Sequence, residues 1–289
     1  MRSIYRSEEG ERAVRERYQE FLQHWPVPNQ HLRLATREGE TFVVASGVQN
    51  APALVLLHGA SGDAAMWMGD IAQWTNHFRV YAVDVIGDAG WSAPSRPPLD
   101  SDAHALWLDD VMRGLRLERA SFAGVSNGAW LALDYAIRRP GCVDSLVLLA
   151  PGGIVPSKNI LPKALLLLLL GNWGARKLRE MILGRTPENA SPAHKAFADF
   201  LALIFRNLRP RTKRHPIFTD EALQALRMPL LVILGGNDPV LPSAKIKERL
   251  QRHVPHAEIR YLAEAGHHIP GQAAAVLDFL CRAHVTLGP

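Results

Sequence analysis

The chain has 289 residues, 47% hydrophobic and 21% charged, with a formal net charge of +5. That length admits one large α/β domain with an insertion, or two small domains, and the composition is ordinary for a globular protein with a sizeable core. Two scattered cysteines, Cys142 and Cys281, exclude a disulfide framework and a cysteine-rich metal site.

The charge is uneven. Residues 151–220 hold twelve Lys/Arg against four Asp/Glu, a balance of +8 that leaves −3 for the remainder. The region lacks interleaved aromatics and any nucleic-acid motif, so it reads as a solvated basic face with no nucleic-acid partner. The start, Met1-Arg2-Ser3-Ile4-Tyr5-Arg6, has no apolar leader. The longest apolar run, residues 164–170, falls short of the roughly 20 residues a membrane span needs. A cytoplasmic protein without a membrane span is expected.

In chain order, residues 7–24 read as a helix, with Val14, Tyr18, Phe21 and Leu22 at helical spacing, ended by Trp25-Pro26-Val27-Pro28. Residues 31–36 and 40–46 form a predicted hairpin. Residues 53–57 are continuously apolar, as expected of a strand buried on both faces, and His58-Gly59-Ala60-Ser61-Gly62 follows directly. A helix over 66–77, a strand over 79–84 and a Gly/Pro-rich loop over 86–98 come next. Ser101 is a candidate cap for a helix reaching residue 115.

The segment 120–125 is a strand, residues 127–139 a helix, and 145–150 another strand. Residues 154–216 then carry no strand signal, only helical stretches around 162–183 and 193–208. The leucine run 165–170 inside this insertion is expected to pack on the main domain or line a pocket there, because it is too apolar for solvent. A short helix ending at 227, a strand over 230–234, a helix over 243–253, a strand over 258–263 and a closing helix over 271–284 complete the alternation. Such alternation makes a mostly parallel, doubly wound sheet with helices on both faces.

Between the 120–125 strand and its helix lies Gly124-Val125-Ser126-Asn127-Gly128, a G-x-S-x-G sequence in strand–turn–helix context. A serine nucleophile needs a base, and the base an orienting acid. In open α/β sheets both should sit just after strands. Asp238 and His267 do, in the chain order Ser126, Asp238, His267. Asp84 is a rival acid, although it precedes the serine, and Asp238 also fits a plain Asn-Asp-Pro turn. His268 is a rival base, and otherwise a loop histidine with its own partners. The other histidines are mostly surface candidates, and His24, His31 and His256 have no site-like context. The N–H groups of Asn127 and Ala60 are the candidate oxyanion donors, with His58 as a brace for its loop.

Together, His58-Gly59-Ala60-Ser61-Gly62, Gly124-Val125-Ser126-Asn127-Gly128, Gly236-Asn237-Asp238 and Gly266-His267 resemble the α/β-hydrolase family over nearly the whole chain. Trp25-Pro26-Val27, Ala45-Ser46-Gly47, Tyr81-Ala82-Val83-Asp84-Val85-Ile86-Gly87-Asp88 and Phe218-Thr219-Asp220-Glu221 further resemble bacterial serine carboxylesterases of the aryl-propionate (naproxen-ester) type. The resemblance implies an α/β-hydrolase fold with an eight-stranded sheet. A core of 1–153 and 217–289 would be interrupted by a helical cap over 154–216. It implies hydrolysis of small-molecule carboxylic esters through an acyl-serine, with no cofactor or metal, by a monomer or homodimer. Two departures stand out. Val85-Ile86-Gly87-Asp88 replaces the Arg-Gly-His-Gly type of loop found in many relatives, and no acidic residue follows His267 over 269–272.

The same machinery serves C–C bond, lactone and amide hydrolysis or acyl transfer, and a ligand-binding protein on this scaffold is a further alternative. If Arg176, Lys177, Arg179, Arg206, Arg211 or Arg214 reached the pocket mouth, acidic substrates would be favoured.

Overall fold

The computed structural model describes residues 3–211 and 213–287; Met1 and Arg2, the first of the residues read above for an apolar leader, lie outside them. Helix α1 (Glu8–Gln23) opens the fold. The Ser7 hydroxyl accepts the Gly10 N–H at 3.0 Å, and Glu8, Glu9 and Glu11 sit at the positive end of the helix dipole. Its buried stripe, Val14, Tyr18 and Leu22, follows the helical period.

Eight strands form one sheet: β1 (Asn29–Thr36), β2 (Gly39–Ser46), β3 (Ala53–Leu57), β4 (Arg79–Val83), β5 (Ala120–Val125), β6 (Val143–Leu149), β7 (Leu230–Gly235) and β8 (Glu258–Leu262). Their order is β1-β2-β4-β3-β5-β6-β7-β8. The β1–β2 and β2–β4 pairs are antiparallel and all others parallel. Leu54 through Leu57 and the whole of β7 are buried, as the continuous apolar runs require of central parallel strands. Each such leucine or valine withdrawn from water contributes about 1.5–3 kcal/mol.

The crossover helices are α2 (Ile71–Trp74), α3 (Ala103–Gly114), α4 (Asn127–Arg138), α8 (Asp220–Gln224) and α9 (Ser243–His253); α10 (Ala273–Leu287) follows the last strand, and α5 (Leu161–Leu169), α6 (Gly171–Leu183) and α7 (Pro192–Asn207) are inserted between β6 and β7. Where an acidic residue was missing after His267, the Trp74 indole N–H instead donates to the Ala273 carbonyl at 3.0 Å, tying α10 to α2.

Several local expectations need correction. The helix over 66–77 is a 3-10 turn, Ala64–Trp67, and a single α turn, parted at Gly69 and Asp70. Asp102, not Ser101, occupies the cap position of α3, while the Ser101 hydroxyl accepts the Ala103 N–H at 3.3 Å. The stretch 162–183 is two helices broken at Leu170–Gly171, where Gly171 takes φ +61°. The leucine run is not packed on the main domain: α5 rests chiefly on α6, and Leu165, Leu166, Leu168, Leu169 and Leu170 are exposed. The insertion is anchored through α7 instead. Phe200 and Ile204 are buried, Phe200 stacks on Phe21 at 5.0 Å, and the Arg6 N–H donates to the Asn207 carbonyl at 2.8 Å.

Beneath the loops after β3 and β4 lie two buried carboxyls. Asp84 accepts from the Tyr18 hydroxyl and from the Ala64 and Trp91 N–H groups at 2.8–2.9 Å. Asp63 caps the 3-10 turn through the Ala65 N–H at 3.0 Å. Burial pushes Asp84 up to about 7, against the pull of its three donors. Burial, and then the charge of Asp84, hold Asp63 well above the usual carboxylate range.

The folded chain therefore keeps protons that the unfolded chain has released by about pH 4. Stability falls as pH rises from there through the folded pKa values. Asp63→Asn keeps a good cap and removes one of the two charges. Its unfolding midpoint in denaturant should exceed the parent's by more at pH 8 than at pH 5. An equal gain at both would dissociate the effect from titration.

Candidate active site

Ser126 sits between β5 and α4 at φ +52°, ψ −107°. For a residue with a Cβ this is strained backbone, costing about 1–3 kcal/mol. The fold imposes it by close approach. A Cβ on Gly124 would stand 2.4 Å from the Gly128 carbonyl oxygen, and one on Gly128 would stand 2.0 Å from that of Leu57. The Ser126 N–H donates to the Leu149 carbonyl at 2.9 Å, anchoring the turn to β6.

A second glycine contact joins the exits of β7 and β8. A Cβ on Gly235 would lie 2.0 Å from the Gly266 oxygen, and one on Gly236 would lie 2.4 Å from that of Ala263. The Gly236 and Asn237 N–H groups donate to Leu262 and Ala265 at 2.8 and 2.9 Å. The two loops are thereby zipped together, and Asp238 faces His267.

Three side chains meet in line. His267 Nδ1 lies 2.7 Å from Asp238 Oδ2, and its Nε2 lies 3.0 Å from Ser126 Oγ. A carboxylate only accepts, so Nδ1 carries the proton and Nε2 turns its lone pair to the hydroxyl. The other Asp238 oxygen accepts from the Val240 and Leu241 N–H groups at 2.7 and 2.9 Å, which orients the carboxylate. Asp238 and His267 are buried. Asp84 is spent on Tyr18, Ala64 and Trp91 and does not meet His267. His268 instead faces a cavity of about 330 Å³ shared with Ala60, Met66 and Phe197. Partial desolvation against the cavity wall, then His194 and His267, lower its pKa.

Asn127 is the first residue of α4, where a backbone N–H has no carbonyl one turn back inside its own helix. Ala60 is exposed to the cavity, and a Cβ on its neighbour Gly59 would lie 3.8 Å from the Ser126 Cβ. His58 braces this loop. Its Nε2 accepts the Val85 N–H at 2.8 Å and its Nδ1 donates to the Gly59 carbonyl at 2.8 Å, a neutral ring whose pKa burial lowers.

Asp88, in the unusual loop after β4, accepts the Ser61 N–H at 3.2 Å and pairs with Arg211 at 3.5 Å. Of the other basic residues in the insertion, Arg176 and Arg179 line the cavity and Arg214 reaches Asn159.

Two of the histidines expected to be mostly at the surface lie inside. His104 is buried edge-on to Trp130, and His215 stacks on Trp130 at 5.3 Å with Nε2 2.9 Å from Asn127 Oδ1. Both are held neutral, at about 4, by burial and by Arg211. His104 shares the buried face of α3 with Trp107, Leu108 and Val111 at helical spacing, whereas no local pattern marks His215, which only the chain's return to α4 brings there. A wider groove of about 660 Å³ along α1 and Trp91 is lined otherwise by Glu, Arg and Gln and holds no nucleophile. Among the described residues no cluster of three or more His, Cys, Asp or Glu could hold a metal ion, and no helix is long and apolar enough to cross a membrane.

A model of the alpha/beta hydrolase family matches residues 54–279. A Bacillus subtilis (strain 168) protein described as an uncharacterized carboxylesterase, nap, is 33% identical over 258 residues, 86% of this chain and 84% of its own. The crystal structure of carboxylesterase CesB (YbfK) from Bacillus subtilis superposes with a TM-score of 0.81 at 31% identity, covering 95% of this chain and 99% of that one. The crystal structure of naproxen esterase (carboxylesterase NP) from Bacillus subtilis gives 0.80 at 32%, covering 92% and 95%.

Gly128→Ala has no room for its methyl group and should destabilise the fold by more than about 4 kcal/mol, seen as a collapsed urea midpoint. His215→Ala strips Asn127 of its acceptor-side partner, and a loss of about 1–3 kcal/mol in the same assay is expected.

Proposed function

The chain belongs to the alpha/beta hydrolase family, and on that premise we propose that it is a carboxylesterase working through Ser126, His267 and Asp238. The observation that carries this reading is the relay from Asp238 through His267 to the Ser126 hydroxyl at 2.7 and 3.0 Å. The relatives named carboxylesterases support the choice of bond.

In this reading, Ser126 Oγ attacks the ester carbonyl carbon while His267 Nε2 takes its proton. Asp238 holds the imidazole tautomer and stabilises the imidazolium. The carbonyl oxygen becomes an oxyanion and accepts from the Ala60 and Asn127 N–H groups. Collapse breaks the bond to the leaving oxygen, which receives the proton from His267 and departs as the alcohol. Water, deprotonated by the same nitrogen, then attacks the acyl-serine. The carboxylic acid leaves, and the proton returns to Ser126.

The insertion over 154–216 serves as a cap. Its Arg179, Leu183 and Phe197 wall the cavity that reaches Ala60, and so face the substrate's acyl or alcohol group.

A graded series of p-nitrophenyl esters measures the activity directly. Ser126→Ala and His267→Ala should abolish turnover above background, and Asp238→Asn should lower kcat by about 10⁴-fold. A fluorophosphonate should label Ser126 in the parent and not in Ser126→Ala. Failure to label the folded parent, or ester turnover that survives Ser126→Ala, would overturn the proposal.

A further inference from the structure

The insertion carries an apolar ridge that no described residue covers. Leu165, Leu166, Leu168, Leu169 and Leu170, with Trp173 just beyond, are between 51% and 83% exposed. At about 100° per residue, positions 165, 166, 168 and 169 spread over nearly half the circumference of α5, while Ala164 and Leu167, on the other side, are half-buried. A helix apolar on so many sides is ordinarily buried, and so large an apolar patch marks an interaction surface. The corner itself is firmly built. A Cβ on Gly174 would stand 1.6 Å from the Leu167 carbonyl oxygen, so α5 and α6 cross in contact and hold the ridge outward.

Cations border this ridge. Lys163 is exposed within α5, and Lys177, over the Trp173 ring at 6.0 Å, shares the single carboxylate of Glu180 with Arg176 at 2.9 and 3.8 Å, which leaves the group net positive. They belong to the segment 151–220, with its balance of +8. A second copy of the chain would set two such positive segments against each other. A protein groove would have to receive a protruding ridge of flexible leucines. A sheet of apolar tails beneath anionic headgroups meets both features at once. Leucines enter the acyl boundary, while tryptophan and lysine sit at headgroup depth.

We infer that the α5–α6 corner docks peripherally on a bilayer surface carrying anionic lipid. The same helix α6 that bears Trp173 near its start walls the cavity over Ala60 with Arg179 and Leu183 near its end. Docking therefore sets the cavity close to membrane-dissolved, lipophilic esters. That delivery role rests on the carboxylesterase reading; the docking does not.

The test is co-sedimentation of the full chain with vesicles of phosphatidylcholine alone and of phosphatidylcholine mixed with phosphatidylglycerol, at low and high salt. The mixed vesicles should pellet the protein, less so at high salt. Leu166→Ser combined with Leu169→Ser should weaken vesicle binding by at least about tenfold. That variant should keep the parent's thermal midpoint and its turnover of water-soluble p-nitrophenyl acetate.

Parent protein that stays in the supernatant with both vesicles overturns the inference, as does equal pelleting of parent and variant. Concentration-dependent dimers that the double substitution abolishes, without vesicle binding, would assign the ridge to a second copy and overturn it too. Vesicle binding without hydrolysis of any ester would leave the docking standing while the carboxylesterase reading fails.

Discussion

Contact between bare backbones governs this molecule. At the serine turn the chain passes so near the end of β3 that a methyl group on Gly128 would sit inside the Leu57 carbonyl. The loops after β7 and β8 are pressed together in the same way at Gly235 and Gly266. These two seams lie at the same edge of one sheet, since β3, β5, β7 and β8 run parallel. The strained Ser126 backbone and the short distances from Asp238 to His267 to Ser126 follow from them. Side-chain packing alone seldom holds a residue in so unfavourable a conformation; here hydrogen-bonded strands on both sides overdetermine it.

Around that edge, buried polar groups act as fixed spacers. His58 bridges the exits of β3 and β4 with both ring nitrogens engaged. Asp84 gathers donors from α1, from the loop after β3 and from the loop after β4. Asp88 and Arg211 fasten the end of the insertion to the loop that carries Ala60. Burying these groups is costly, and their partners offset it. The loops near Ser126 are thus set by directional bonds, which resist small displacements better than apolar contact does.

The central strands were legible in the sequence because a parallel strand buried on both faces has to be apolar throughout, and residues 53–57 and 230–234 are. Positions just after strands singled out Ser126, Asp238 and His267, which the fold brings within hydrogen-bond reach. What escaped notice depends on tertiary contact. His215 has no periodic signature, and only the path of the chain back to Trp130 and Asn127 half-buries it, while His104 follows the helical period of the buried face of α3. In the leucine run hydrophobicity does not bring burial. The place at the core was already filled by α7, whose Phe200 pairs with Tyr18 and Phe21 of the first helix.

That pairing divides the insertion into unequal parts. The end at α7 is stitched to the amino-terminal segment by the Tyr5–Leu208 bridge, the Ile4 carbonyl and the ring stack on α1. The hairpin of α5 and α6 owes little to the sheet. A lineage carrying this architecture can therefore lengthen, shorten or rewrite the hairpin and leave the sheet edge that carries Ser126 undisturbed. A change in the first helix, far away in sequence, would reach the roof of the cavity at once. Divergence in substrate range is thus expected to accumulate in α5 and α6, and constraint to fall on residues 4–23.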